Sequence, residues 1–420
     1  MSNNIVEAID RISKSLGGNA ASNNATEAID KLSVALNEKL KGAEYDLSWT
    51  QIVNDIQAGD FSRYAVGDIL TCSYKGEDGT IYDNPLRIVD IREEEFEDGD
   101  TRKGMWLQQK YATADAVQFS HPRALVALPE GLAAGTYYIA CAYKVSNYFT
   151  SGSGIQFTTT IDIPAGGRIA PTLSGSYANF NESMGLISYA ADGKTVLENL
   201  TVTKGTSGTL LGTTGANANS RSENVNDIYE VQYGSNNFEI SAARQWLNSD
   251  KKAGEWWTPQ DKWDVAPANL NNIDGYLSKL PKSLVAALRP ISTVTVGNTA
   301  VYSNAEAETF DLVTMPSKEQ MYIAKQSNNE GAAFSYWQEL NGTDTPYQNG
   351  SYNQSTGSIE PTYDELKIGS VNKPETPSTI WLRSARVGSP SGVWYVHLNG
   401  IVSYAGACYQ LRLLPIMFIC

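Results

Sequence analysis

Ile5, Ile9, Ile12 and Leu16 are spaced four, three and four residues apart, which places them on one stripe of a helix, and Ile29, Leu32, Leu36 and Leu40 form a second such stripe. The repeat reaches the polar positions too, since Glu7-Ala8-Ile9-Asp10 recurs twenty residues on as Glu27-Ala28-Ile29-Asp30. Gly17-Gly18-Asn19 separates the stripes into two short helices. Helices of this length are marginal in water alone, so the stripes need a cover: their own domain, partner helices, or a socket on a larger assembly. Isoleucine at successive core positions favours three parallel helices over two.

From about Ser48 the apolar period shortens towards two. Tyr64 to Cys72 and Leu86 to Ile91 read as strands joined through the Gly76 and Gly79 turns, and a further strand surrounds Met105-Trp106-Leu107. The acidic run Glu93 to Asp100 lacks the ligand periodicity of a calcium loop and reads as a solvated hairpin turn. Between roughly Thr113 and Ser220 short alternating strands, such as Gly135 to Cys141, Gly154 to Ile161 and Val196 to Val202, alternate with Gly, Ser and Pro turns. That is the signature of a small β-sandwich. Beyond it, helices are predicted around Ser241 to Leu247 and Leu280 to Leu288. The simplest organisation is an N-terminal helical segment (1–44), a discontinuous domain (45–112 and 221–420), and a β-module (113–220) inserted into it.

Composition narrows the function. A net charge of −14 with only 32 Lys and Arg argues against nucleic acid, whose phosphates need clustered cations. The chain opens with no basic, apolar leader and contains no window near the ~18 apolar residues of a membrane span. Cys72, Cys141, Cys408 and Cys420 are too scattered for a disulfide scaffold and are expected as buried thiols. With only His121 and His397, a histidine-built metal site is not expected.

Ala243 to Asn248, Trp256-Trp257-Thr258-Pro259, Leu312 to Ser317, Phe334-Ser335-Tyr336-Trp337 and Trp381-Leu382-Arg383-Ser384, taken in order, resemble the C-type-lectin-like domains, related to the formylglycine-generating-enzyme fold, of tailed-phage virion proteins and retroelement-diversified variable proteins. Leu128 to Tyr137 with Ile163 to Gly167 resembles a β-module that some phage members insert. The resemblance spans most of residues 48–420. It implies an α+β, C-type-lectin-like domain with an inserted all-β sandwich and a short N-terminal helical anchor. It also implies a homotrimer on the virion surface, attached to other virion proteins through residues 1–44. Arg383 is expected to be paired inside the fold, because an unpaired buried guanidinium is costly.

In such relatives the variable positions follow the Trp-Leu-Arg-Ser strand. Here Ala385 to Leu411 is rich in Gly, Ser and Tyr, a composition that gives broad contact area at low entropy cost. Of the residues that adenine-directed mutation of Asn codons cannot yield, this run holds only Trp394 and Gln410. The expected contact residues are Arg386, Ser389, Ser391, Tyr395, His397, Ser403, Tyr404 and Tyr409, with Trp394 either anchoring the site or holding the loops.

Several chemistries lack their residues. From Trp381 to Cys420 there is no Asp or Glu, so a calcium-dependent sugar site has no carboxylates there. Cys408 and Cys420 are not the close pair of a copper oxidase, neither histidine adjoins a nucleophile elbow, and no phosphate-binding glycine loop occurs. With those chemistries lacking their residues, the resemblance implies metal- and cofactor-independent, non-enzymatic recognition of a host-surface protein or glycan. The alternatives are a purely structural capsid decoration or head-fibre protein, and a polysaccharide-cleaving tail protein.

Overall fold

The computed structural model describes residues 12, 47–120, 123–142, 148–172, 185–213, 233–296, 306–324 and 329–420. Apart from Ile12, the two N-terminal helical stripes lie outside these residues, as does His121.

Strand accounts for 39% of the structure and helix for 11%, so the expected α+β lectin-like class gives way to a mostly β architecture. The two helices predicted around Ser241 to Leu247 and Leu280 to Leu288 form, but as stubs, and a third short helix, Ser335–Asn341, joins them. Ala242–Leu247 is capped by Ser241, whose side chain accepts from the Arg244 N–H, and ends at Asn248. Lys282–Ala287 lies between Pro281 and Pro290, and Ser335–Asn341 stops at the left-handed Gly342. Six or seven residues make fewer than two full turns of helix. Leu47–Gln57 is longer, and buries Trp49 and Ile56 in the core.

Two five-stranded sheets form the body. The first runs in the order Ile69–Leu70, Leu86–Glu95, Thr101–Gln109, Ile416–Ile419, Val313–Thr314, so the chain's last strand lies between an early strand and a late one. Asp98 to Asp100 forms the tight turn of its long hairpin, with Gly99 left-handed. The second sheet runs Val402–Gly406, Gly392–Val396, Ile380–Ala385, Gln410–Arg412, Ala116–Gln118. Ala116–Gln118 thus pairs within the body although it lies beyond residue 112. Trp246, Trp337 and Trp381 are fully buried in the shared core. Their indole N–H groups donate to the Asp274 carbonyl, Gln108 Oε1 and the Val117 carbonyl, which removes the cost of burying them. The four cysteines are buried thiols.

Residues 126–213 build one seven-stranded, nearly closed barrel around Phe149, Phe157, Ile169 and Leu186, rather than the expected two-sheet sandwich. Both architectures show one apolar face per strand, so alternation alone does not separate them. Curvature does. Register shifts at Ser188/Tyr189 and Leu210/Gly212 bend the strands, and a side chain at Gly154 would strike the Gly205 carbonyl, so the ring draws in only because glycine is there. The barrel meets the body where Arg123 pairs with Asp261 and the Arg168 Nε donates to the Lys262 carbonyl.

Candidate functional site

The strand Ile380–Ala385 is buried along its whole length and is the spine of the second sheet. Arg383, 2% exposed, donates through Nη1 to the Met315 carbonyl at 2.8 Å and to Gln320 Oε1, and through Nη2 to the Glu330 carbonyl. Glu330 accepts from the Val296 N–H and the Ser384 hydroxyl. Burial raises the Glu330 carboxyl above its usual range against the pull of Arg383. Arg383 therefore ties the spine to three neighbouring segments and takes no part in the surface, as its sequence context implies.

Two hairpin turns follow the spine. In the first, the Arg386 N–H bonds to the Gly392 carbonyl and the Ser389 Oγ accepts from the Gly392 N–H. In the second, the His397 N–H bonds to the Ile401 carbonyl, and Gly400 is left-handed with φ 81°. A side chain on Gly400 would strike the Tyr363 carbonyl, so this turn requires glycine on two counts.

Between and beside these turns lie two open grooves. The first, of about 640 Å³, is lined by Arg386, Ser389, Ser391, Tyr395, His397, Tyr404 and Tyr409, together with Tyr233, Thr379, Gly392, Ala405, Gly406 and Leu411. The second, of about 630 Å³, is lined by Tyr395, His397 and Ser403, with Asn399, Ile401 and residues 358–362. Tyr395 and His397 border both, their ring centroids 6.2 Å apart. The His397 Nδ1 lies 2.7 Å from Asn399 Oδ1, which fixes the ring across the boundary.

Eight of the nine expected residues thus line this continuous surface. Trp394 does not. It is 5% exposed, meets the Tyr404 ring edge-on, and carries the Lys318 ammonium 3.9 Å from its own ring centre. It holds the sheet from beneath. Tyr404 is 42% exposed and is covered in turn by the Arg386 guanidinium, 3.5 Å from its ring centre.

The second groove owes one wall to the hairpin Ser351–Asn353/Ser358–Glu360, which exposes Tyr352 and Ile359 as a cross-strand pair. Sequence reasoning missed this wall. Its signal was an exposed aromatic in a Ser- and Gly-rich run far from the Trp-Leu-Arg-Ser strand, and such runs are usually only loops. Glu360 is the sole carboxylate among the lining residues. Hydrogen bonds from Asn353, Thr356 and Ser358 hold its carboxyl below the usual range. Arg386 marks one groove and Glu360 the other; between them lie His397, tyrosine, serine, threonine and asparagine, with the apolar Ile359, Pro361, Ile401 and Leu411.

Among the described residues no cluster of three or more His, Cys, Asp or Glu could hold a metal ion, and no helix is long and apolar enough to cross a membrane. The buried carboxyls whose pKa burial raises, Asp264, Asp311 and Glu330, line neither groove.

A family model described as a domain of unknown function (DUF6273) matches residues 209–419, just over half of the chain. The matched region contains both grooves. It excludes the strands Leu86–Glu95, Thr101–Gln109 and Ala116–Gln118, which complete the two body sheets here. No curated protein and no solved structure matches the chain.

Proposed function

We propose that this chain, which belongs to the DUF6273 family, is a non-enzymatic recognition protein of a phage particle that binds a host-surface glycan or protein across its two adjoining grooves. The observation that carries the binding role is the composition of that surface. The exposed Tyr404, the half-buried Tyr233, Tyr395 and Tyr409 and several short hydroxyl side chains, flanked by one cation and one anion, converge from four separate segments of the chain onto a single buried scaffold. Such side chains supply contact area and adaptable hydrogen bonds, with little ordering cost when their backbone is already fixed. The particle assignment is supported by the sequence resemblance of residues 48–420, as are a trimer and attachment through residues 1–44.

The reading needs no metal. Full-length protein is added to a panel of intact bacterial cells and to their extracted envelope polysaccharides and proteins, with and without EDTA. The expected result is binding to at least one preparation, unchanged by EDTA and reduced at least tenfold in Tyr395→Ala/His397→Ala. Binding that the double substitution leaves intact overturns the groove assignment. Failure of every preparation to bind would favour a structural role, with the grooves meeting only neighbouring subunits.

A further inference from the structure

Lys318 is a lysine that folding has taken almost entirely out of water, at 2% exposure. Its backbone N–H donates to the Ser384 hydroxyl at 2.9 Å, beside Arg383 on the spine strand. Its stem leads to the face of Trp394, and its Nζ donates to Asn349 Oδ1 at 2.6 Å. Among the described residues these are its close partners, and no carboxylate lies within ion-pair distance. The Ser384 hydroxyl that accepts from the Lys318 backbone donates to Glu330, so a fully buried carboxyl stands in the same pocket. On the other side, Asn349 is held by its neighbour, since the Gly350 N–H donates to the Val402 carbonyl at 2.8 Å.

We propose that Lys318 and Asn349 are the two halves of an intramolecular isopeptide bond, a covalent cross-link beneath the groove floor that forms after folding. Three requirements meet here. The nucleophile must be a neutral amine, and burial pushes the Lys318 ammonium down to about 8, so a usable fraction is neutral near physiological pH. The electrophile must be held beside it, and the short hydrogen bond to Oδ1 places the amine next to the Asn349 carbonyl carbon. A proton must move from the attacking to the departing nitrogen, both of which the Lys318–Asn349 contact holds together; the buried Glu330 carboxyl, beyond ion-pair distance, acts on Lys318 through its charge alone. Burial raises Glu330 towards its neutral acid form.

The reaction balances without a co-reactant. The Nζ lone pair forms a bond to Cγ of Asn349, the Nζ proton passes to the side-chain amide nitrogen, the Cγ–Nδ2 bond breaks, and ammonia leaves. An amine and a primary amide become a secondary amide and ammonia. The link would close the chain between residues 318 and 349, fastening the segment that leads into the exposed hairpin wall of the second groove. It does not depend on what the grooves bind.

Asn341, Asn349 and Asn399 each precede glycine, so succinimides there compete and shed the same mass, the one at Asn349 most directly. It requires the Gly350 nitrogen, whose N–H is engaged with Val402. Intact-mass spectrometry of the full chain after incubation near pH 8 tests the proposal. The expected mass is ~17 Da, one ammonia, below the sequence value for wild type, and the full sequence value for both Lys318→Arg and Asn349→Ala. A tryptic digest of wild type should contain a branched species joining residues 283–325 to 326–367, because modified Lys318 is no longer cut. A wild-type chain at its full mass, or a ~17 Da loss in wild type without the branched species, overturns the cross-link.

Discussion

Replacing Arg383 by Met tests the load placed on the spine strand. The substitution keeps most of the side chain's length and apolar bulk while deleting the guanidinium. It removes the donors that satisfy the Met315 and Glu330 carbonyls and Gln320 Oε1, and leaves the Glu330 carboxyl buried without its compensating cation. Removing one partner from a buried charged cluster costs about 3–5 kcal/mol. For a folding unit of this size each kcal/mol lowers the melting temperature by ~2–4 °C, so the expected drop is roughly 6–20 °C. All nine tryptophans lie outside residues 126–213, so tryptophan fluorescence during thermal or urea unfolding reports on the body and not on the barrel. A shift below about 2 °C in that signal would refute the claim that Arg383 is a structural tie.

Further outcomes follow from neighbouring groups. Because folding raises the Glu330 carboxyl above its ordinary value of 4.5, its ionisation opposes the folded state. The sign is that stability from this group is fully present below pH 4.5 and is lost as pH rises through the raised folded value. Glu330→Gln should flatten that arm of the stability profile in urea titrations, and an unchanged arm would contradict the assignment. Trp394→Ala should cost ~3–5 kcal/mol by fluorescence-monitored unfolding, as for other buried aromatics, while changing affinity for a bound envelope preparation less than about threefold at a temperature where the variant is folded. Loss of affinity without loss of stability would make Trp394 an anchor of the site instead. Sedimentation of the full chain should give a trimer that Ile9→Asp/Ile29→Asp converts to monomer, since a charge buried in a helical interface is not tolerated. A monomer in both would leave residues 1–44 as a docking segment.

What the sequence disclosed depended on how local the determining physics was. The helix at Ala242–Leu247 was legible because its cap, Ser241, and its apolar face lie within seven residues of each other. The residues after Arg383 stood out through the resemblance and their Tyr, Ser and Gly content, and the structure sets eight of the nine named there along two grooves, with Tyr395, Ser403 and Tyr404 on strands and not in loops. Alternation reads the barrel as a sandwich because closure is decided by bulges and by the approach of Gly154 to the distant Gly205. The lectin-like class failed for a related reason. The tryptophans that carry the resemblance are core residues, and a core of that composition does not dictate whether short helices or further strands surround it. The hairpin at residues 351–360 is local, but its place as a groove wall, like the Lys318–Asn349 contact, depends on segments that only tertiary structure brings together.

The central claim is that the two grooves sharing Tyr395 and His397 are where this protein meets its ligand. Hydrogen–deuterium exchange of the full chain, alone and saturated with an envelope preparation that binds it, tests this most directly. The account predicts slowed exchange in residues 386–406 and 358–362, with exchange in the barrel strands of residues 126–213 unchanged. Protection confined to the barrel, or binding that leaves both groove segments exchanging as they do in the free protein, would contradict it.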